Sequence, residues 1–498
     1  MDGTRLDVLS SIEDWVDDLK ARNILWIRGF PGVGKSAIAS SIIQTLRQKN
    51  RLGAFYIFER ARATAATPNA LWRSVAYDLA RTYPTFRRIV VERLDDEEVD
   101  VDSSNIKAVF RNIIEEPLEG CNDIPSGRLP VIVVDALDEC GGLRSRYSPH
   151  REGLLSTLSR WADLPPKFKL LVTSRGDEDF ERVLTPIAEV FDLSSGKNVK
   201  EQATEDIALF LKNRFLKIAR SYPDSLDSDW PGDMIREELT RRTAGLFIWA
   251  QTLMTIIDEE EPQSQLDQVL RGAIGLGDMG DLYTRVLEIS FGLPGAPVTE
   301  AFQTIVGSLV VAKRPLSRAE IIDLHAIEPS MLDYVRKGLR CVLEDSNSLQ
   351  FSHQSFVEFL LDSTKCPTPF LVVEHTQHLR LANTCINLMV DRLQFNICRI
   401  PTSHVRNAGI QGMQLHESVS SLSYACRFWG EHLSSVPYDE DLCNLVKKFF
   451  FEKFLFWLEV LSVANEMDAA PGIVVLATKW VEVEVSVILC SHTMLTES

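Results

Sequence analysis

One short stretch constrains the fold of this chain more than any other. Residues 29 to 36 read Gly-Phe-Pro-Gly-Val-Gly-Lys-Ser, the spacing G-x-x-x-x-G-K-[ST], between the apolar run Ile24-Leu25-Trp26-Ile27 and the helix-forming Ala37-Ile38-Ala39. A loop of this pattern wraps a polyphosphate with its own backbone N–H groups. Gly29, Gly32 and Gly34 therefore serve close approach and positive φ, where a side chain would obstruct. Lys35 adds a point charge for the β- and γ-phosphates, Ser36 a hydroxyl for Mg²⁺, and the following helix aims its positive N-terminus at the same anion. The expected nucleotide contacts are Gly29, Pro31, Gly32, Val33, Gly34, Lys35, Ser36 and Ala37.

Composition narrows the partners. The 498 residues are 45% hydrophobic, enough for several cores, and carry 53 basic against 70 acidic residues, a net charge of −17. That balance argues against non-specific binding to nucleic acid or to an anionic membrane. Nine cysteines occur without a C-x-x-C pair or zinc spacing, which favours free thiols in a reducing compartment. The first 20 residues alternate charged and apolar groups like an amphipathic helix rather than a signal peptide, so a cytoplasmic protein is expected. The apolar segment from Ile473 to Cys490 is interrupted by Lys479, Glu482 and Glu484, too charged to span a bilayer; its alternation Val481, Val483, Val485, Val487 predicts a strand.

The remaining site residues fall at predicted strand ends. Leu129 to Cys140 contains four consecutive β-branched residues, Val131 to Val134, followed by Asp135, Asp138 and Glu139, the pattern of a strand buried on both faces that ends in carboxylates. Ligands bind at the carboxyl ends of such strands, so Asp135 is expected to hold Mg²⁺ together with Ser36, and Asp138 and Glu139 to orient or deprotonate a water. A third strand, Phe168 to Ser174, delivers Arg175 as a γ-phosphate sensor, and Ala54 to Phe58 leads to Arg60 as a weaker second sensor. Strands alternating with helices at Ala37 to Gln48 and Asn69 to Thr82 predict a doubly wound parallel α/β sheet. His375 and His378 share a helical spacing, but without a third ligand they are read as a solvent-facing pair, and no metal beyond Mg²⁺ is expected.

With these strand ends in hand, the chain resembles the fungal branch of the NACHT family, signal-transduction P-loop NTPases of the STAND class. The resemblance runs over residues 3 to 465. It rests on Gly3-Thr4-Arg5, on Ile24 to Gly29, on the string Asp135-Ala136-Leu137-Asp138-Glu139-Cys140, and on Val172-Thr173-Ser174-Arg175. Further on, Ala244-Gly245-Leu246-Phe247-Ile248-Trp249-Ala250 is similar to the family's helical-domain motif, and Phe351 to Leu360 to its winged-helix motif. The resemblance implies that His353 folds back onto the β-phosphate of bound diphosphate in a closed resting state. Phe247 stands where related motifs often carry a Pro near the adenine, which leaves ATP against GTP open.

The expected order is a lead helix (1–22), a P-loop NACHT nucleotide-binding domain (23–194), a helical lid (195–275), a winged-helix domain (276–365), a further α-helical region (366–465) and a tail of unclear structure (466–498). Periodicity predicts helices over Thr204 to Ala219 and Met234 to Ile257, one from Arg318 to Leu324 after Pro315-Leu316-Ser317, and a hairpin across Cys341 to Phe351. Acidic residues Glu320, Asp323, Glu328 and Asp333 argue against nucleic-acid binding by the winged helix. The chain starts 28 residues before Gly29 and stops soon after the helical region, so a truncated product or a partner-dependent module is expected, with effector and sensor partners unidentified. Three functions are weighed: a nucleotide switch that self-associates on activation and resets by slow hydrolysis, a P-loop enzyme acting on another substrate, and a scaffold with a permanently bound nucleotide.

Overall fold

A computed structural model describes residues 4–59, 67–95, 103, 105–122, 124, 129–141, 149–193, 195, 201–258, 261–271, 278–345, 347–397 and 420–496. The chain divides into two compact units, Met1–Val286 with His353–Ser355, and Leu287–Ser352 with Phe356–Ser498. The segment drawn from sequence as 276–365 is thus shared between them. Arg60 lies outside the described residues.

The first unit is built on five parallel strands: β1 (Ile24–Gly29), β2 (Leu52–Ile57), β3 (Val131–Asp135), β4 (Lys169–Ser174) and β5 (Glu189–Leu193), in the order β2-β3-β4-β1-β5. β3 and β4 are buried along their whole length, which accounts for their unbroken apolar runs. β5 was not anticipated, because Glu189-Val190-Phe191-Asp192-Leu193 at the sheet edge is half-buried and carries two acids. The register sets Val134 beside Val172 and Ile27 beside Thr173, so the carboxyl ends of β1, β3 and β4 open on one rim of the sheet. The α/β P-loop NTPase architecture expected from the sequence is therefore present.

Helices fill the connections. The helix Pro68–Thr82 is capped by the Thr67 side chain, which accepts from Ala70 N–H, and has Pro at its first position. Its Trp72, fully buried, stacks on Trp161 at 5.9 Å and meets Phe110 edge-on at 4.7 Å. Its indole N–H donates to Thr157 at 3.0 Å. Residues 201–221 form one helix, but the single helix expected from Met234 to Ile257 is two, Asp233–Thr243 and Phe247–Ile257. Ala244 and Gly245 both take positive φ, 46° and 85°, and end the first helix there; periodicity carries no record of such a break.

In the second unit, Ser317 and Glu320 form a reciprocal capping box at the start of the helix Arg318–His325. A second helix, Pro329–Leu339, follows, then the antiparallel pair β6 (Leu343–Asp345) and β7 (Leu349–Phe351). Long helices Glu374–Arg392, Ser420–Leu433 and Glu440–Val463 pack around Trp429, Phe449 and Trp457. Two expectations are corrected here. His378 does not face solvent with His375: it is buried, and its Nδ1 bonds His432 Nδ1 at 2.9 Å. The strand expected beyond Ile473 is part of a helix, Ala469–Thr496. Its buried positions Ala470, Ile473, Ala477 and Trp480 are spaced three and four apart, and this helical period upstream outweighs the valine alternation that follows.

Cys121, Cys140, Cys341, Cys366, Cys385, Cys426 and Cys443 are free thiols, and among the described residues no helix is long and apolar enough to cross a membrane. Trp72→Ala should destabilise the first unit by ~3–5 kcal/mol, the range for a large aromatic removed from a close-packed core. Urea unfolding followed by fluorescence checks this, with Trp72→Phe expected to lose distinctly less.

Candidate nucleotide site

The site begins where β1 runs into the loop. Gly32 and Gly34 adopt φ of 82° and 99°, and Gly34 caps the helix Lys35–Gln48. The first-turn N–H groups of that helix have no carbonyl of their own helix to reach, so they face the loop as anion donors. A Cβ on Gly32 would come within 2.0 Å of Ile248 Cγ2, and Ile248 N–H donates to Gly32 O at 3.1 Å. The second helix of the broken pair therefore seats its first turn directly on the loop. Arg5 holds the other side: buried at 7% exposure, it donates to Val33 O at 3.2 Å, lies 3.9 Å from Asp206 and stacks over Phe247 at 5.2 Å. Burial pulls its guanidinium below the usual arginine value against the opposing pull of Asp206.

Lys35 Nζ donates to Gly29 O at 2.8 Å and Phe30 O at 3.1 Å, which places the charge at the mouth of the loop. An ammonium has three donors, so this leaves one for a ligand. Burial lowers its pKa, opposed chiefly by Asp138.

Asp135 is 3% exposed at the end of β3. Its carboxylate accepts from Thr173 Oγ1 on the adjacent strand and is hydrogen-bonded by Ser36. Burial raises its pKa despite both bonds. The two expected Mg²⁺ ligands are thus brought together. Ser36 and Asp135 do not make a closed cage, but Mg²⁺ keeps several waters and takes one or two protein ligands plus phosphate oxygens, so the donor set fits that ion.

Directly after Asp135 the backbone turns through Ala136 at φ 58°, a left-handed conformation that costs about 1–2 kcal/mol for a residue with a Cβ. Thr173 Oγ1 accepts the Ala136 N–H at 3.0 Å and secures it. The turn brings round Asp138 and Glu139. Asp138, 5% exposed, is engaged at both oxygens: Arg175 N–H reaches Oδ1 at 3.2 Å and Arg175 Nε lies 3.0 Å from Oδ2. Glu139 is half-buried beside it. The loop after Arg175 is pinned from behind by Arg151, buried at 1% exposure, which donates to Asp177 at 2.7 Å and to Asp179 at 2.6 and 2.8 Å.

His353 closes the arrangement. Its Cε1 lies 4.0 Å from the point a Gly32 Cβ would occupy, and its Nδ1 meets Ser355 Oγ at 2.6 Å and Ser355 N–H at 3.1 Å. Burial first, then the positive charges of Lys35 and Arg175, lower its pKa to about 4.

The expected residues from Gly29 to Ala37, with Asp135, Asp138, Glu139, Arg175 and His353, thus gather around one loop. Thr173, Arg151, Ile248, Tyr283 and Ser355 were not singled out from sequence. Thr173, Ile248 and Ser355 stand inside quoted motifs, the one signal available; the contacts that give Arg151, Ile248 and Tyr283 their roles lie 26 or more residues distant in the chain, invisible to pattern.

Parallel sheet, phosphate-type loop and strand-end carboxylates define a P-loop NTPase fold. Residues 3–175 match the family model described as Nephrocystin 3, N-terminal. Over 92% of its length the chain is 23% identical to the vegetative incompatibility protein HET-E-1 of Podospora anserina, spanning 35% of that protein. Among solved structures, the STAND protein with a tetratricopeptide repeat sensor from Pyrococcus horikoshii is 13% identical with a TM-score of 0.41, covering 96% of this chain and 63% of that one. A Walker-type ATPase of Pyrococcus abyssi is 14% identical with a TM-score of 0.32, covering 71% and 95%. The resemblance to the fungal NACHT proteins is borne out.

The His353 shift carries a pH dependence of definite sign. Its folded pKa, about 4, lies below the ordinary 6.5, so between these values the unfolded chain takes up a proton that the folded ring refuses. The contribution to stability is complete above pH 6.5 and is lost as pH falls toward 4. Thermal melting of wild type and His353→Gln at pH 7.5 and 5 should show a smaller acid loss in the variant; equal losses would contradict a neutral buried ring.

Proposed function

We propose that the chain is a nucleotide-dependent regulatory switch in a signalling pathway of the self/non-self recognition or cell-death kind. The observation that carries this reading is the position of His353 against Gly32, with Lys35 and Arg175 as neighbouring charges, at the loop beside which Ser36 and Asp135 meet. Lys35 and the first-turn N–H groups hold the phosphates, and Ser36 and Asp135 hold Mg²⁺. When bound, the ion neutralises charge on the phosphate oxygens. ATP/ADP is the expected pair and GTP/GDP the alternative.

Within the site, Asp138 and Glu139 are the two acids that orient or deprotonate the attacking water, and Asp138 is also bonded at both oxygens to Arg175. Asp138 then acts as the arm that aims Arg175, the sensor. His353 grips the diphosphate and keeps the segment 276–365, read as a winged helix, in its resting place. Triphosphate exchange releases it, and the opened chains self-associate in the cytoplasm; slow hydrolysis resets the switch. Effector and sensor partners complete the pathway, and the acidic balance of the chain speaks against nucleic acid and membrane as partners.

Purified chain, denatured and chromatographed, should release about one nucleoside diphosphate per molecule, and the base identifies the nucleotide. Lys35→Ala should weaken binding of a fluorescent nucleotide by 100-fold or more; unchanged affinity would sink the reading. Glu139→Gln should keep binding and slow turnover by ~10²–10⁴. Light scattering should find larger assemblies with a non-hydrolysable triphosphate than with diphosphate.

A further inference from the structure

His353 has two ring nitrogens, and which one carries the proton decides what the ring offers the loop. Ser355 N–H points at Nδ1 from 3.1 Å, and a backbone N–H is always a donor. Nδ1 is therefore an acceptor. Ser355 Oγ, 2.6 Å from the same nitrogen, must then donate its hydrogen to it. With its hydrogen spent, Ser355 Oγ receives the hydrogen of Tyr283, whose hydroxyl lies 2.7 Å away on a side chain 1% exposed. The backbone N–H sets the sense of the relay, Tyr283 to Ser355 to His353 Nδ1, while the hydroxyl at 2.6 Å makes the shorter and stronger of the two bonds at that nitrogen and supplies most of the preference. The ring's own proton is left on Nε2, which has no hydrogen-bond partner among the described residues.

We propose that Tyr283 and Ser355 are positioning residues that fix His353 as the Nε2–H tautomer, so that the ring presents a neutral hydrogen-bond donor to the terminal phosphate of a bound nucleoside diphosphate. This rests on the nucleotide reading above. The opposite tautomer would turn a lone pair toward phosphate oxygens and repel them. An imidazolium would stand against Lys35 and Arg175, already charged at the same place. Only the neutral Nε2–H ring adds a grip without adding a charge, and the relay, not the histidine alone, selects it. A Ser two residues on is the shortest donor able to reach Nδ1 with its side chain while its backbone donates too.

Full-length protein labelled with ¹⁵N-histidine, its His353 signals assigned by their loss in His353→Gln, tests the tautomer by long-range ¹H–¹⁵N NMR. Release of fluorescent ADP and GDP, followed by stopped flow on the same samples, tests its consequence. Wild type should show the Nε2–H form. Tyr283→Phe and Ser355→Ala should show a mixture and release diphosphate about three- to tenfold faster, Ser355→Thr should restore both, and Tyr283→Phe should add nothing in a His353→Gln background. A wild-type ring in the Nδ1–H form, or variants that leave the tautomer unchanged, would overturn the proposal whatever the release rates. An Nε2–H ring with release rates equal in wild type and His353→Gln would instead overturn the assignment of His353 to the nucleotide, and the relay's role with it.

Discussion

A carboxylate buried at the end of a central strand is the constraint around which the first unit is arranged. Asp135, 3% exposed, sits where water cannot solvate it, so its charge must be met by the protein. Thr173 from the neighbouring strand and Ser36 from the first turn after the loop supply hydrogen bonds, and Lys35 supplies opposite charge. These groups come from β3, β4 and the helix following β1, so satisfying one acid fixes the relation of three strand ends. The left-handed Ala136 is tolerated because the same threonine holds its N–H, and through that turn Asp138 and Glu139 reach the rim.

The second constraint is steric. Gly32 has no room for a side chain because Ile248 fills it, and the hydrogen bond from Ile248 N–H to Gly32 O makes the contact directional. A helix some two hundred residues downstream is thereby coupled to the loop through one missing methyl group. Arg5 performs a similar duty from the N-terminal side, giving up solvation to touch Val33, Asp206 and Phe247 together. Loop, lead segment and helical segment are set by shared contacts.

Much of this was legible in the chain. The loop, the buried strand before Asp135 and the strand before Arg175 each carry a local signal, since the chemistry of phosphate and of a two-faced buried strand restricts residue type position by position. What escaped was either weak or distant. β5 is half-buried and acidic, so it lacks the apolar run that marks its neighbours. The break at Ala244-Gly245 depends on positive φ at an alanine, which residue type scarcely encodes. His378 is buried rather than solvent-facing, against a partner, His432, that lies 54 residues away, beyond the reach of local pattern. The C-terminal helix departs from the expected strand because the helix whose period near 3.6 is set by Ala470, Ile473, Ala477 and Trp480 runs on through the four valines, whose own spacing of two carries the opposite signal.

The sequence by itself determined the loop, the strands that bear charged ends and the kind of ligand such a loop is made for, because backbone conformation and solvation act locally and leave their mark on residue choice. Tertiary structure alone decided that Asp138 is bonded at both oxygens to Arg175, that Thr173 joins two strands at Asp135, and that Tyr283 reaches Ser355 beside His353. Those outcomes depend on register between strands and on contacts across tens to hundreds of residues, and hydrogen-bond direction exists only once both partners are in place.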